Sequence, residues 1–136
     1  MLEGEQLMIR YSDDIRDISS RQLVGFFVGW KKPLTREQHF ALLSGSTHFV
    51  VAIDDEIGKV IGFVTALSDG VNSSFIPLLE VLPAYQGRGI GTGLMCRVLQ
   101  KLDAITNVDL TCDVEMQSFY EGFGMLKSSG MVLRKY

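Results

Sequence analysis

Residues Ser74–Leu94 read SFIPLLEVLPAYQGRGIGTGL, and three consecutive segments of this stretch decide the fold. Phe75 to Leu82 is an apolar run and reads as a mostly buried strand. Pro83 ends it, because proline has no N–H to offer a ladder. Gln86-Gly87-Arg88-Gly89-Ile90-Gly91 follows, a turn dense in glycine and almost free of side-chain bulk. Leu94, Met95, Val98, Leu99 and Leu102 then recur at helical spacing. Strand, glycine turn and helix N-terminus in this order make an anion site. Free backbone N–H groups and the positive end of the helix dipole point at one place, and glycine lets a phosphate approach closely. The loop therefore reads as the holder of the pyrophosphate of a nucleotide-like cofactor.

Spacing separates the phosphate loops. A dinucleotide fingerprint needs G-x-G-x-x-G. Counted from Gly87 the last position is Thr92, and counted from Gly89 it is Leu94, so both fail. A Walker A loop needs G-x-x-x-x-G-K-[ST], and no lysine follows at that distance. Asp113, about 20 residues past the loop, stands where a ribose-binding acid would be expected, which is the one feature favouring a dinucleotide.

The pattern that fits is Gln86-x-x-Gly89-x-Gly91, preceded by Leu79, Val81 and Pro83 in the order L-x-V-x-P. It resembles the [R/Q]-x-x-G-x-[G/A] signature of the GNAT N-acetyltransferase superfamily, and the resemblance extends from about Leu7 to Tyr136. It is nearest to small bacterial proteins with FFVGW, IPLLEVLP and FYE-x-x-G stretches. It implies that the amides of Gln86, Gly87, Arg88, Gly89, Ile90, Gly91 and Thr92 grip the pyrophosphate of acetyl-CoA. It also implies that the main chain near Leu79 and Val81 pairs with the pantetheine arm.

Composition narrows the remaining classes. The length of 136 residues suits one domain, 1–136, and a hydrophobic content of 46 % is ample for its core. A net charge of −3 offers no basic field for nucleic acid. Cys96 and Cys112 make no disulfide framework and have no metal spacing, so they read as small buried apolar residues, and no metal is expected. No apolar run approaches the ~20 residues of a membrane span. The start MLEGEQLMIRY lacks the charge and apolar core of a signal peptide. A cytoplasmic protein is expected.

Taken in order, a first strand is expected at Leu7–Tyr11, then a short helix capped by Ser19 or Ser20 with Leu23, Phe26 and Phe27 on its apolar face. Thr35-Arg36-Glu37-Gln38 is a capping box opening a helix that Gly45 closes. Strands follow at Phe49–Ile53 and Lys59–Leu67 around a turn at Asp54–Gly58. After the central helix, Val108–Cys112 reads as a strand parallel to the Phe75–Leu82 run, since strand–helix–strand is a right-handed crossover. Met116 to Phe123 reads as a short helix. Leu126–Ser128 and Met131–Arg134 read as a hairpin about Ser129-Gly130, and this hairpin could pair between subunits of a homodimer, though a monomer fits equally. The expected class is α+β in α/β/α layers. Its mixed, mostly antiparallel sheet would have six to seven strands, a central splayed parallel pair and about four helices. Pro77 within the apolar run predicts a bulge that parts that pair.

Acyl transfer from a thioester to an amine needs deprotonation of the amine, polarisation of the carbonyl and protonation of the leaving thiolate, with both substrates held together. Amides near Leu79 to Val81 are candidates to polarise the carbonyl. Tyr120 is the candidate acid: FYE-x-x-G resembles the family's F-Y-x-x-x-G-F region, although here the order is Gly122-Phe123-Gly124-Met125. Glu80, a carboxylate among Pro, Leu and Val, is the candidate base. The resemblance implies that the first two helices wall the acceptor pocket, which points to Phe27, Trp30 and His39 for substrate. Asp113 and Glu115 could bind a cationic amine. The expected function is an acetyl-CoA-dependent N-acetyltransferase acting on a small-molecule or protein amine by direct attack in a ternary complex. The alternative is a non-catalytic acyl-CoA-binding or partner-binding module on the same fold.

Overall fold

The computed structural model describes residues 8–135. Leu7, where the first strand was expected to begin, and the segment argued not to be a signal peptide lie wholly or mostly outside these residues. One sheet contains β1 (Ile9–Ser12), β2 (His48–Asp54), β3 (Lys59–Ser68), β4 (Ser73–Val81) and β5 (Asn107–Asp109), lying side by side in chain order. Pairing is antiparallel from β1 through β4 and parallel between β4 and β5. The α-helices are α1 (Arg36–Gly45), α2 (Ile90–Lys101) and α3 (Gln117–Glu121).

The α+β class therefore holds, but the expected six to seven strands and about four helices are corrected to five and three among the described residues. The terminal hairpin does not form. Residues 125–135 run without turn, bend or ladder, and 126–135 are all exposed. A two-stranded hairpin with no apolar face to rest on is marginal in water. The first expected helix is only a 3₁₀ turn at Ser20–Gln22, where the Ser19 N–H donates to Gln22 Oε1 at 2.8 Å. Positive φ at Gly25, Phe27 and Gly29 then turns the chain away from helical geometry. The parallel pair lies at the sheet edge, not its centre, because among the described residues no strand lies beyond β5.

Side-chain alternation on β2 splits the core. Val50 and Ala52 join Leu94, Met95 and Val98 of α2 on one face; Phe49, Val51 and Ile53 join Leu43 of α1 on the other. β3 is covered on both faces, so it reads as a continuous apolar run. The α1 capping box is present: Thr35 Oγ1 accepts from Gln38 N at 3.1 Å and Gln38 Oε1 accepts from Thr35 N at 2.9 Å. Cys96 and Cys112 are both exposed, which corrects their expected burial. Cys96 falls on the solvent side of α2, and Cys112 lies past the end of β5, where sheet pairing has stopped.

α2 sits close enough to β1 that a side chain on Gly93 would force the Tyr11 ring to move. An added Cβ would collide with Tyr11 Oη and lie 2.7 Å from its Cζ. The Arg97 guanidinium holds that ring in place from 3.7 Å. Gly93→Ala is expected to lower stability in chemical denaturation by about 1–2 kcal/mol, despite alanine's better helix propensity. In a Tyr11→Leu background the same substitution should cost nothing further, as a double-mutant cycle would show.

Candidate active site

The glycine turn ends in Gly89, the residue before α2, which adopts a left-handed conformation (φ 80°, ψ 7°). Gly87 does likewise at φ 77°. A Cβ at either position would meet open space, so it is the backbone angle that calls for glycine. No side chain among the described residues caps α2. The first-turn N–H groups of Ile90, Gly91 and Thr92 are thus left to a ligand or solvent. Ile90 is only 4 % exposed, so its side chain belongs to the core and only its main chain can serve the loop.

Side chains tie the loop down before the helix begins. Gln86 Nε2 donates to the Val81 carbonyl at 3.0 Å, closing the loop back onto the end of β4. Tyr85 Oη donates to Asp54 Oδ2 at 2.6 Å, a bond that raises the phenol's pKa, and the Arg88 guanidinium lies 5.6 Å from the Tyr85 ring centre.

β4 opens next to this loop. Its ladder with β5 ends at Phe75–Asp109, whereas its ladder with β3 continues to Val81. Between Phe75 and Leu78, Ile76 and Pro77 oppose the single residue Ala66, which makes a bulge at the proline. Leu78 to Val81 therefore has a strand partner on the β3 side alone, among the described residues. α3 faces this opening. Phe119 and Tyr120 pack with Leu79 and Val81 against the α2-side core. An added Cβ on Gly91 would lie 3.7 Å from Phe119 and 3.9 Å from Val81, so loop, strand end and α3 converge. Tyr120 is half-buried; burial raises its pKa, with a smaller push from Cys112. It is a protonated hydrogen-bond donor at neutral pH.

Glu80 points to the opposite face. Its carboxylate accepts from the Phe27 N–H at 2.9 and 3.0 Å and from the Val28 N–H at 3.3 Å. These bonds hold Phe27 at φ 64°, an uncommon angle for a bulky residue. The Phe27 ring is 4.8 Å from Trp30 and 4.8 Å from His39. His39 also meets Phe26 at 5.1 Å and Phe63 at 4.3 Å. It is 1 % exposed, and neither ring nitrogen has a hydrogen-bond partner among the described residues. Burial lowers its pKa to about 4, so the imidazole is neutral and sits as an aromatic. Phe27, Trp30 and His39 are thus brought together, with Trp30 on the outside at 45 % exposure. Asp113 and Glu115 are exposed.

Sequence reasoning missed two members of this arrangement. Phe63 looked like any interior strand residue. The Phe27 and Val28 amides carry no side-chain signal, although the glycines flanking them hinted at unusual backbone.

The acetyltransferase (GNAT) family model matches residues 13–125. The chain is 28 % identical over 103 residues to an uncharacterised N-acetyltransferase, ycf52, of Pyropia yezoensis, covering 74 % of this chain and 59 % of that protein. It thus spans about three fifths of the length of this curated relative. Among solved structures it is similar to a candidate acetyltransferase from Deinococcus radiodurans R1, with 41 % identity, a TM-score of 0.90 and coverage of 93 % of this chain and 88 % of that one. A GNAT family acetyltransferase from Streptococcus pneumoniae gives 25 % identity, a TM-score of 0.74 and coverage of 96 % and 98 %.

The buried imidazole makes stability depend on pH. His39 has a folded pKa of about 4 against 6.5 in the open chain, so between these values the unfolded chain binds a proton that the folded one refuses. Stability should be full above pH 6.5 and fall as pH drops toward 4, by roughly 2–4 kcal/mol in all. His39→Phe should flatten that part of the profile, measured by denaturation at pH 4.5 and 7.5.

Proposed function

This chain belongs to the GNAT acetyltransferase family, and on that premise we propose that it is an acetyl-CoA-dependent N-acetyltransferase passing acetyl directly to an amine. The observation that carries the reading is the convergence of the uncapped α2 N-terminus, the one-sided end of β4 and Tyr120. The residues fit coenzyme A. Backbone amides from Gly87 to Thr92 suit its diphosphate, and the free edge of β4 at Leu79 and Val81 suits an amide-bearing pantetheine arm. When bound, the cofactor supplies an acetyl thioester.

The chain's own groups then divide the remaining tasks. The β4 main chain near Leu79 to Val81 polarises the carbonyl oxygen, and one such fixed amide is worth about 3 kcal/mol. Tyr120 holds a proton at its Oη for the departing sulfur. Glu80 is already engaged by the Phe27 and Val28 amides, so we assign it first to ordering the acceptor-side loop. The amine's proton leaves through water on that side. Phe27, Trp30 and His39 form the aromatic wall behind the loop, and the acceptor is a small-molecule or protein amine. Among the described residues no helix is long and apolar enough to cross a membrane.

Isothermal titration of the whole chain with acetyl-CoA should show binding in the micromolar range; heat-silent titrations at millimolar ligand would end the proposal. Across an amine panel, Tyr120→Phe should lower kcat by about 10²-fold with the cofactor Kd unchanged. An unaltered kcat would remove Tyr120 from the reaction. Tight cofactor binding without acetylation of any amine would favour a non-catalytic acyl-CoA-binding module.

A further inference from the structure

Asp54 ends β2 and is only 4 % exposed, a rare depth for a carboxylate. Its two oxygens have different partners. Oδ1 accepts from the Glu56 N–H at 3.0 Å, the usual bond of an aspartate that opens a tight turn. The turn between β2 and β3 needs no more than that. Oδ2 accepts from Tyr85 Oη at 2.6 Å, across 31 positions of sequence, and this bond serves no part of the β2–β3 hairpin.

Tyr85 closes the short 3₁₀ turn Pro83–Tyr85, immediately before Gln86. β3 lies between β2 and β4, so the bond reaches over one strand and fastens the glycine loop to the interior of the sheet. Gln86, by contrast, fastens it only to β4, the strand the loop has just left. A phenol held at its hydroxyl has a fixed ring, and this ring carries the Arg88 guanidinium 5.6 Å from its centre. Arg88 stands between Gly87 and Gly89, two positions of positive φ where no side chain steadies the backbone. It is exposed and has no ion-pair partner among the described residues. Asp55, the next acid of the β2–β3 turn, is taken up by Arg10 at 3.0 Å.

We propose, resting on the acetyl-CoA assignment, that Asp54 is a positioning residue for the phosphate end of the cofactor. Acting through Tyr85, it sets where Arg88 and the loop amides stand, and so makes the site prefer acetyl-CoA to the same thioester without its phosphates. The β4 edge at Leu79 and Val81, which suits the pantetheine arm, is fixed by its ladder with β3 and does not depend on this bond. The two ends of the cofactor therefore separate in experiment.

Tyr85→Phe removes the hydroxyl and keeps the ring. Calorimetric titration should show its Kd for coenzyme A raised about tenfold, the weight of a hydrogen bond to a charged group. Its kcat at saturating acetyl-CoA and its KM for S-acetyl-pantetheine should match the wild type, which a general loosening of the fold would not allow. Adding Asp54→Asn removes the carboxylate that Tyr85→Phe leaves short of a partner and keeps an oxygen for the Glu56 N–H, so this double variant covers the case in which the single one folds poorly. Its coenzyme A Kd should equal that of Tyr85→Phe, because two residues acting through one bond do not add. Arg88→Ala should weaken coenzyme A binding in the wild type and cost little further on Tyr85→Phe. An unchanged coenzyme A Kd in Tyr85→Phe, or KM values for both thioesters rising together, would overturn the proposal and leave the acetyl-CoA assignment standing. A wild-type chain that binds no coenzyme A would end both.

Discussion

The molecule depends on the place where β4 and β5 stop pairing. A parallel ladder that ran the length of β4 would close the sheet and leave nowhere for a ligand. Here it ends at Phe75–Asp109, and the bulge at Ile76 and Pro77 turns the rest of β4 away while β3 still holds it. Proline's missing N–H and the extra residue act on the same short segment. The remaining elements of the site are arranged around that opening. α2 begins at its mouth, α3 brings Phe119 and Tyr120 against it, and Gln86 fastens the intervening loop to the last carbonyl of the strand.

The alternation of β4 then sorts what lies on either side. Leu79 and Val81 join the α2-side cluster, while Leu78 packs with the aromatic side and Glu80 bonds the Phe27 loop there. One strand therefore sends adjacent residues to two separate clusters, two-residue periodicity being enough to separate them; on the function proposed above, these are the cofactor side and the acceptor side. The α2 side is held by main-chain angles and hydrogen bonds. The opposite side is held by packed rings and by one carboxylate bonded to two amides.

Much of this could be read beforehand, and the limits have physical causes. The strand–turn–helix at Phe75–Leu102 and the Thr35 capping box are local. Their glycine, proline and apolar spacing act over a few residues, so sequence and structure agree there. The first helix failed because Gly25 and Gly29 left the backbone free and Glu80, more than fifty positions away, decided what Phe27 would do. The terminal hairpin failed for a related reason. Alternation in Leu126–Arg134 records that the segment suits a strand but not which strand it would lie against. His39 was expected on a helix facing the acceptor pocket, yet Phe26 and Phe27 of one loop and Phe63 of β3 enclose it, a burial that only the folded chain brings about.

The sole tryptophan of the chain is Trp30, and it rests tilted on Phe27 at the exposed end of the loop that Glu80 holds. Its indole is half in water, so its emission responds to small changes in packing at that spot. The protein thus carries an intrinsic fluorophore beside the Phe27 loop, the wall assigned to the acceptor under the proposed function. Movements of that loop can be followed optically in the unlabelled molecule, while the Gln86–Gly91 turn contributes no indole signal of its own.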